Sequence, residues 1–140
     1  MKIGCVVTSC GLTQLLVDRF VANNKLVDKG IRLFITTFKG DNITAEGATI
    51  TEIDRMEVFN IGKAVNISLR KAIESCELVI KTDIDCILSD DCISQVKMTK
   101  ANRGFAYRYW EVKDAESINE SSLNPRTMGT LCLSAEEWSN

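Results

Sequence analysis

The 140-residue chain contains no histidine. That excludes a Ser-His-Asp or Cys-His catalytic arrangement and any imidazole-ligated metal. Chemistry here must rest on carboxylates, hydroxyls, thiols and amines. There is one proline, Pro125. No block of like charge occurs, and 17 basic against 19 acidic residues leave a net charge of −2. A general nucleic-acid or anionic-membrane surface is therefore disfavoured. No apolar run is long enough to span a membrane. Met1 to Cys10 carries one positive charge and a short apolar run. Thr8 and Ser9 cut that run too short for a signal peptide, so it reads as a first strand. Cys5, Cys10, Cys76, Cys86, Cys92 and Cys132 form no C-x-x-C pair, which argues against a zinc site. Several lie in apolar runs. They read as buried free thiols of a reducing compartment, and a cytoplasmic location is expected.

What is present is ordinary for a globular domain: 45% hydrophobic and 26% charged residues. The length suits one domain with one core, spanning 1–140. Lys2–Thr8 reads as a buried strand. Leu12–Lys29 carries Leu12, Leu15, Leu16, Phe20 and Val27 at helical spacing, with Gly30 as a stop. Ile31–Phe38 is a second strand, Lys39-Gly40-Asp41-Asn42 a turn, and Ala48–Ile53 a third strand. Asn60 is placed to cap a helix over Ile61–Ser75. Leu78–Thr82 is the next strand, and Ser89 or Asp90 caps a short helix through Val96. Gly104–Val112 is an aromatic strand, Asn119–Thr127 a polar loop, and Met128–Leu133 a last strand. Ser134-Ala135-Glu136-Glu137-Trp138 opens a helix. Alternating strands and helices predict an α/β fold in three layers around a mostly parallel sheet.

One motif stands out. The apolar run from Leu78 ends in Asp83-Ile84-Asp85. Alternation along a strand sends both carboxylates to one side and Ile84 to the other. Ligands of parallel sheets bind at such carboxyl ends. Two close carboxylates repel unless a cation or hydrogen bonds offset them. Mg²⁺ or Mn²⁺ would do so while carrying a diphosphate. An acidic strand end can also mark where the chain leaves the core. Asp90 and Asp91 read as a solvated helix start. Asn60-Ile61-Gly62-Lys63 offers free N–H groups and one positive charge to a phosphate or base, or is simply a capped amphipathic helix. Lys63, Asn66 and Arg70 form its polar stripe, with Arg70 read as solvent-facing or salt-bridged. Tyr107-Arg108-Tyr109-Trp110 could stack on a sugar or base, though core packing explains it as well. Glu136 and Glu137 resemble a first-turn acidic pair.

Three segments in this order resemble the GT-A fold glycosyltransferases, nearest the family 2 and galactosyltransferase-like groups. They are Gly62-Lys63-Ala64-Val65-Asn66, then Lys81-Thr82-Asp83-Ile84-Asp85, then Gly129 through Trp138 with Ser134 between. The resemblance implies a GT-A, nucleotide-diphospho-sugar transferase fold, shortened at the C-terminus. It implies Mn²⁺ or Mg²⁺ at the D-x-D and a nucleotide sugar, UDP-linked, as donor. On that likeness Asp85 would hold the metal directly, and Asp83 the ribose or metal. Lys63 and Asn66 would lie near the base or diphosphate, and Thr8 and Ser9 would border the pocket. The Gly129–Trp138 segment would form a wall of the donor site.

The chain departs from the pattern in three ways. Ile35-Thr36-Thr37-Phe38 lacks the aspartate often found at the end of the second strand, with Asp41 only later. Val65 replaces an arginine. The chain ends at Asn140 before the family's acidic catalytic base. The expectation is a metal-dependent hexosyl transfer to some acceptor. The alternative is a shortened, non-catalytic descendant that binds nucleotide or protein. A second copy completing the site is an intermediate case.

Overall fold

The computed structural model describes residues 1–98, 105–111 and 122–139. Its first strand, β1 (Ile3–Thr8), leads into helix α1 (Gln14–Asn24), then β2 (Ile31–Phe38) and β3 (Thr49–Ile53). Helix α2 (Ile61–Ile73) returns to β4 (Leu78–Lys81), followed by α3 (Asp90–Met98). Strands β5 (Phe105–Glu111) and β6 (Ser122–Ser134) and helix α4 (Ala135–Ser139) complete the described elements. The strands form one sheet in the order β3-β2-β1-β4-β6-β5. Strands β3, β2, β1 and β4 are parallel, and β6 runs antiparallel to both neighbours. The α/β class and the mostly parallel sheet are as expected.

Period-2 alternation builds the three layers. Ile3, Cys5 and Val7 of β1, Leu33 and Ile35 of β2, and Leu78 and Ile80 of β4 pack with Val17 and Phe20 of α1 and Ile93 and Val96 of α3. The intervening Val6, Phe34 and Val79 face Leu69 and Ala72 of α2, with Trp138 of α4 against them. Gly4 lies on this second side, where an added Cβ would stand 3.0 Å from Cys76 Sγ. Every strand near the middle is thus covered twice, which accounts for its continuous apolar sequence.

Several boundaries differ from the sequence reading. Helix α1 stops at Asn24 rather than Lys29. Lys25 takes a left-handed conformation (φ 47°) and donates its N–H to Val21 O, closing the helix one turn early. Leu26 then turns inward, nearly buried, and accepts Ile31 N–H. Helix α2 ends at Ile73, two residues short of Ser75. Ser89, not Asp90, caps α3, accepting Cys92 N–H at 3.1 Å, and the helix runs past Val96 to Met98.

The largest difference is β6. Ser122–Thr127 belongs to that strand rather than to a loop, while Asn119 to Ser121 lie outside the described residues. Arg108 pairs with Met128 but Tyr109 pairs with Asn124, so Pro125, Arg126 and Thr127 bulge from the ladder. A residue without an N–H fits there, since it has no ladder bond to lose. Tyr107 to Trp110 lie in β5 as expected, while Gly104 and Val112 fall outside the described residues.

Candidate functional site

Strands β2 and β3 extend on one side of β1, and β4, β6 and β5 on the other. The order turns between β1 and β4, and the crevice beyond their carboxyl ends is where open α/β sheets bind ligands. The Asp83-Ile84-Asp85 segment stands there. Strand pairing ends at Lys81, so the segment is a turn rather than a strand end, closed by Cys86 N–H donating to Asp83 O at 3.1 Å. Burial still alternates. Thr82 and Ile84 are buried, Asp83 is half-buried and Asp85 exposed. Thr82 is fixed by a 2.7 Å hydroxyl bond with Thr130 of β6.

This turn gathers three ligand-type atoms. One oxygen each of Asp83 and Asp85 and the sulfur of Cys86 lie within 4.8 Å of one another. Asp83 Oδ1 accepts from Lys81 Nζ at 2.7 Å, and Cys86 Sγ–H donates to Asp85 Oδ1 at 3.7 Å. Two hard oxygens and one sulfur could hold a divalent cation.

The turn is held from behind by a residue the sequence reading passed over. Asn24, the last residue of α1, is fully buried. Its Nδ2 donates to Phe20 O at 2.9 Å and to Cys86 O at 3.0 Å. Its Oδ1 accepts Leu88 N–H at 2.7 Å. An asparagine one turn after Phe20, on the apolar stripe, was the available clue. Cys86 was also missed, as one of the six thiols read together. Cys5, Cys76, Cys92 and Cys132 are buried as expected, whereas Cys10 and Cys86 are half-exposed. Burial pushes the Cys5 thiol up, and Cys132 to about 12, so both stay protonated and apolar in behaviour.

At the end of β1, Thr8 Oγ1 lies 3.4 Å from both Cys10 Sγ and Thr36 O. Ser9 is fully buried, its N–H donating to Thr36 O at 2.9 Å. Its Oγ is a buried side-chain oxygen with no partner among the described residues. An unmet hydroxyl at a strand's carboxyl end is a feature a bound polar group would satisfy. Thr36 in turn bonds Ser68 of α2, fixing that helix to the sheet.

Asp41 corrects the first departure noted in the sequence. The turn after β2 doubles back, with Asp41 N–H donating to Phe38 O at 3.1 Å. Its carboxylate therefore returns to the strand end, with a side chain only 5% exposed. Oδ2 accepts Gly11 N–H at 2.8 Å, Phe38 N–H at 3.3 Å and Thr37 Oγ1–H at 3.3 Å. Oδ1 accepts Arg55 Nη2 at 2.7 Å. The Gly11 N–H above all, with the Phe38 N–H and the Arg55 charge, holds this carboxyl below its ordinary range. The Arg55 guanidinium also covers the Phe38 ring, 5.4 Å from its centroid, and Phe59 meets that ring edge-on at 5.8 Å.

Asn60 caps α2, its Oδ1 accepting Lys63 N–H at 3.0 Å. A cavity of about 720 Å³ opens between the end of β3 and the start of α2. Lys39, Arg55 and Lys63 line it, with Glu52, Asp54 and Glu57 opposing them. Neither Asp83 nor Asp85 lines it. Three strand spacings separate β3 from β4, roughly 14 Å. The structure thus brings Asp83 and Asp85 together, and sets Lys63 at a second location with Thr8 and Ser9 between. Asn66 and Arg70 are exposed on α2. Asp90 pairs with Lys29 at 2.8 Å, as a solvated helix start does.

The end of the C-terminal motif opens the last helix. Ser134 Oγ accepts Glu137 N–H at 3.2 Å, and Glu137 Oε2 accepts Ser134 N–H at 2.9 Å, a capping box opening α4. Trp138 Nε1 donates to Val79 O at 3.0 Å while its ring packs beside α2.

No helix among the described residues is long and apolar enough to cross a membrane. No protein-family model matches the chain, and no curated protein matches it. Solved structures do. A mannosyltransferase from Pyrobaculum calidifontis in complex with GDP-Man and Mn²⁺ is 14% identical at a TM-score of 0.51. The match covers 74% of this chain and 34% of that one, so the chain spans about a third of the mannosyltransferase's length. The 4-diphosphocytidyl-2C-methyl-D-erythritol synthase of Anaerococcus prevotii is 10% identical at 0.52, covering 97% and 72% of the two chains. A putative glucose-1-phosphate thymidylyltransferase of Bacillus anthracis is 12% identical at 0.51, covering 98% and 73%. The sheet order and these likenesses agree: the chain has the α/β fold that GT-A glycosyltransferases share with sugar nucleotidyltransferases.

Proposed function

We propose that the chain binds a nucleotide sugar, UDP-linked, through Mn²⁺ or Mg²⁺ at Asp83 and Asp85, and transfers its hexose to an acceptor. The observation that carries this is the cluster of Asp83, Asp85 and Cys86 ligand atoms within 4.8 Å beyond β4. A cation there supplies charge neutralisation to the departing diphosphate. Asp83 and Asp85 hold it. Ser9, buried at the end of β1, lies between β4 and the strands that lead to the cavity. Thr8, the residue before it, borders the nucleotide. Lys63, with Asn66 one turn on, adds positive charge and an amide on the base or diphosphate side.

In the transfer, the acceptor hydroxyl oxygen bonds to the anomeric carbon as the bond to the diphosphate oxygen breaks. The hydroxyl proton passes to a base. Glu137, a late carboxylate, is engaged in the α4 cap.

Calorimetry with UDP and Mn²⁺ tests the reading. Binding by wild type that Asp85→Ala loses by about tenfold or more supports it. No binding by wild type, or equal binding by Asp85→Ala, overturns it. A second reading is nucleotidyl transfer, favoured by the 97% and 98% of this chain covered in the two nucleotidyltransferase-like matches. Pyrophosphate release from UTP and a sugar 1-phosphate would select it over UDP release from a UDP-sugar. Binding with neither release identifies a non-catalytic nucleotide-binding module.

A further inference from the structure

The cavity between the end of β3 and the start of α2 is separate from the acidic turn, and its lining is of mixed charge. We propose that it is a second binding site, for small zwitterions with an apolar body: apolar amino acids and dipeptides. This does not depend on a metal at Asp83 and Asp85.

Four observations carry it. First, about 720 Å³ is a volume that small-ligand sites occupy. Second, the lining charges cancel, with Lys39, Arg55 and Lys63 against Glu52, Asp54 and Glu57. A polyphosphate would meet three carboxylates there, and a bare cation three positive groups. A ligand with one charge of each sign meets neither penalty. Third, these charges are unequally committed. Lys39 pairs with Asp54 at 2.8 Å, and the Glu52 charge acts on the same ammonium. Arg55 pairs with Asp41 at 2.7 Å. Glu57 and Lys63 have no ion partner among the described residues, so one carboxylate and one ammonium remain for a ligand. Fourth, Ile53, Met56 and Ile67 are half-buried in the lining and give an apolar side chain a surface to cover. The walls are already fixed. Ile53 O accepts Lys39 N–H at 2.8 Å, Met56 Sδ accepts Asn60 N–H at 3.5 Å, and Asn60 Oδ1 accepts Lys63 N–H at 3.0 Å. The ligand's ammonium goes to Glu57, its carboxylate to Lys63, and its apolar body to the three half-buried side chains.

The test is calorimetric titration of the intact chain with dileucine and with its blocked forms. Wild type should bind dileucine. N-acetylation removes the ammonium and amidation the carboxylate, and each should weaken binding about tenfold or more. Glu57→Gln should bind dileucine and N-acetyl-dileucine equally, and Lys63→Met should bind dileucine and its amide equally. A general disturbance of the fold would not erase one discrimination and leave the other. Both side chains are exposed, and thermal unfolding checks that the variants fold. Asp85→Ala should bind dileucine as wild type does, which separates this site from the metal–diphosphate reading. Equal binding of free and blocked dileucine, or discrimination that survives both substitutions, overturns the proposal. So does loss of dileucine binding in Asp85→Ala, or no binding of dileucine or free leucine by folded wild type. Binding of uridine in place of dileucine, weakened by the same two substitutions, overturns it by making the cavity the site of the base.

Discussion

Asp41 takes hydrogen bonds from Gly11, Thr37, Phe38 and Arg55 beyond the end of β2. Two strands away, beyond β4, Asp83 accepts from Lys81 and Asp85 from the Cys86 thiol. The Asp41 side chain is 5% exposed and that of Asp83 39%. Both corners put acid at the carboxyl edge of the same sheet. In the first, protein donors fill the carboxylate and tie three loops together. In the second, the carboxylates are more exposed, and each accepts one of the bonds just named. Acid at a strand end is therefore structural when the fold supplies the donors, and a candidate ligand set when it does not.

The largest stability effect is expected at Asn24, behind the exposed corner. Asn24→Ala leaves Leu88 N–H and Cys86 O without their buried partner and should destabilise by roughly 2–4 kcal/mol in denaturant unfolding. It should also weaken Mn²⁺ binding, because the turn loses its anchor. Unchanged stability would mean that the turn holds itself.

Acid titration tests the filled corner next. The Asp41 carboxyl lies below its ordinary range when folded, mainly through the Gly11 N–H. A depressed folded value contributes stability above the ordinary aspartate range, which is lost as pH falls through and below it. Asp41→Asn should therefore flatten the acid limb of the stability profile. Asp54 and Asp90 are also held low, by Lys39 and Lys29, so part of the limb should remain. An acid limb unaltered by Asp41→Asn would contradict the structural role of this corner.

The smallest effect is expected at Lys81. Its pair with Asp83 is partly exposed and worth no more than about 1 kcal/mol. Lys81→Met should change unfolding little, yet tighten Mn²⁺ binding severalfold in the absence of nucleotide, since the ammonium competes for Asp83. Weaker Mn²⁺ binding would instead make Lys81 a supporting group.

The alternation of Leu78 to Asp85 and the period-2 strands of the parallel half were legible because local spacing determines which face is buried. The carboxylate pair was legible for the same reason. Asp41 was not, because a turn folds it back onto a strand that it follows by three residues. Nor were Asn24 and Cys86, whose partnership joins residues 62 apart in the chain. The β6 segment from Ser122 to Thr127 reads as loop because polar residues and Pro125 dominate it. Pairing with β5 overrides that local preference.

The central claim is that the open corner binds ligand and the filled corner does not. It is tested most directly by Mn²⁺-dependent UDP binding, measured by calorimetry on wild type, Asp85→Ala and Asp41→Asn at neutral pH. The account predicts binding by wild type, loss in Asp85→Ala with its fold intact, and retention in folded Asp41→Asn. Equal binding by wild type and Asp85→Ala would contradict it.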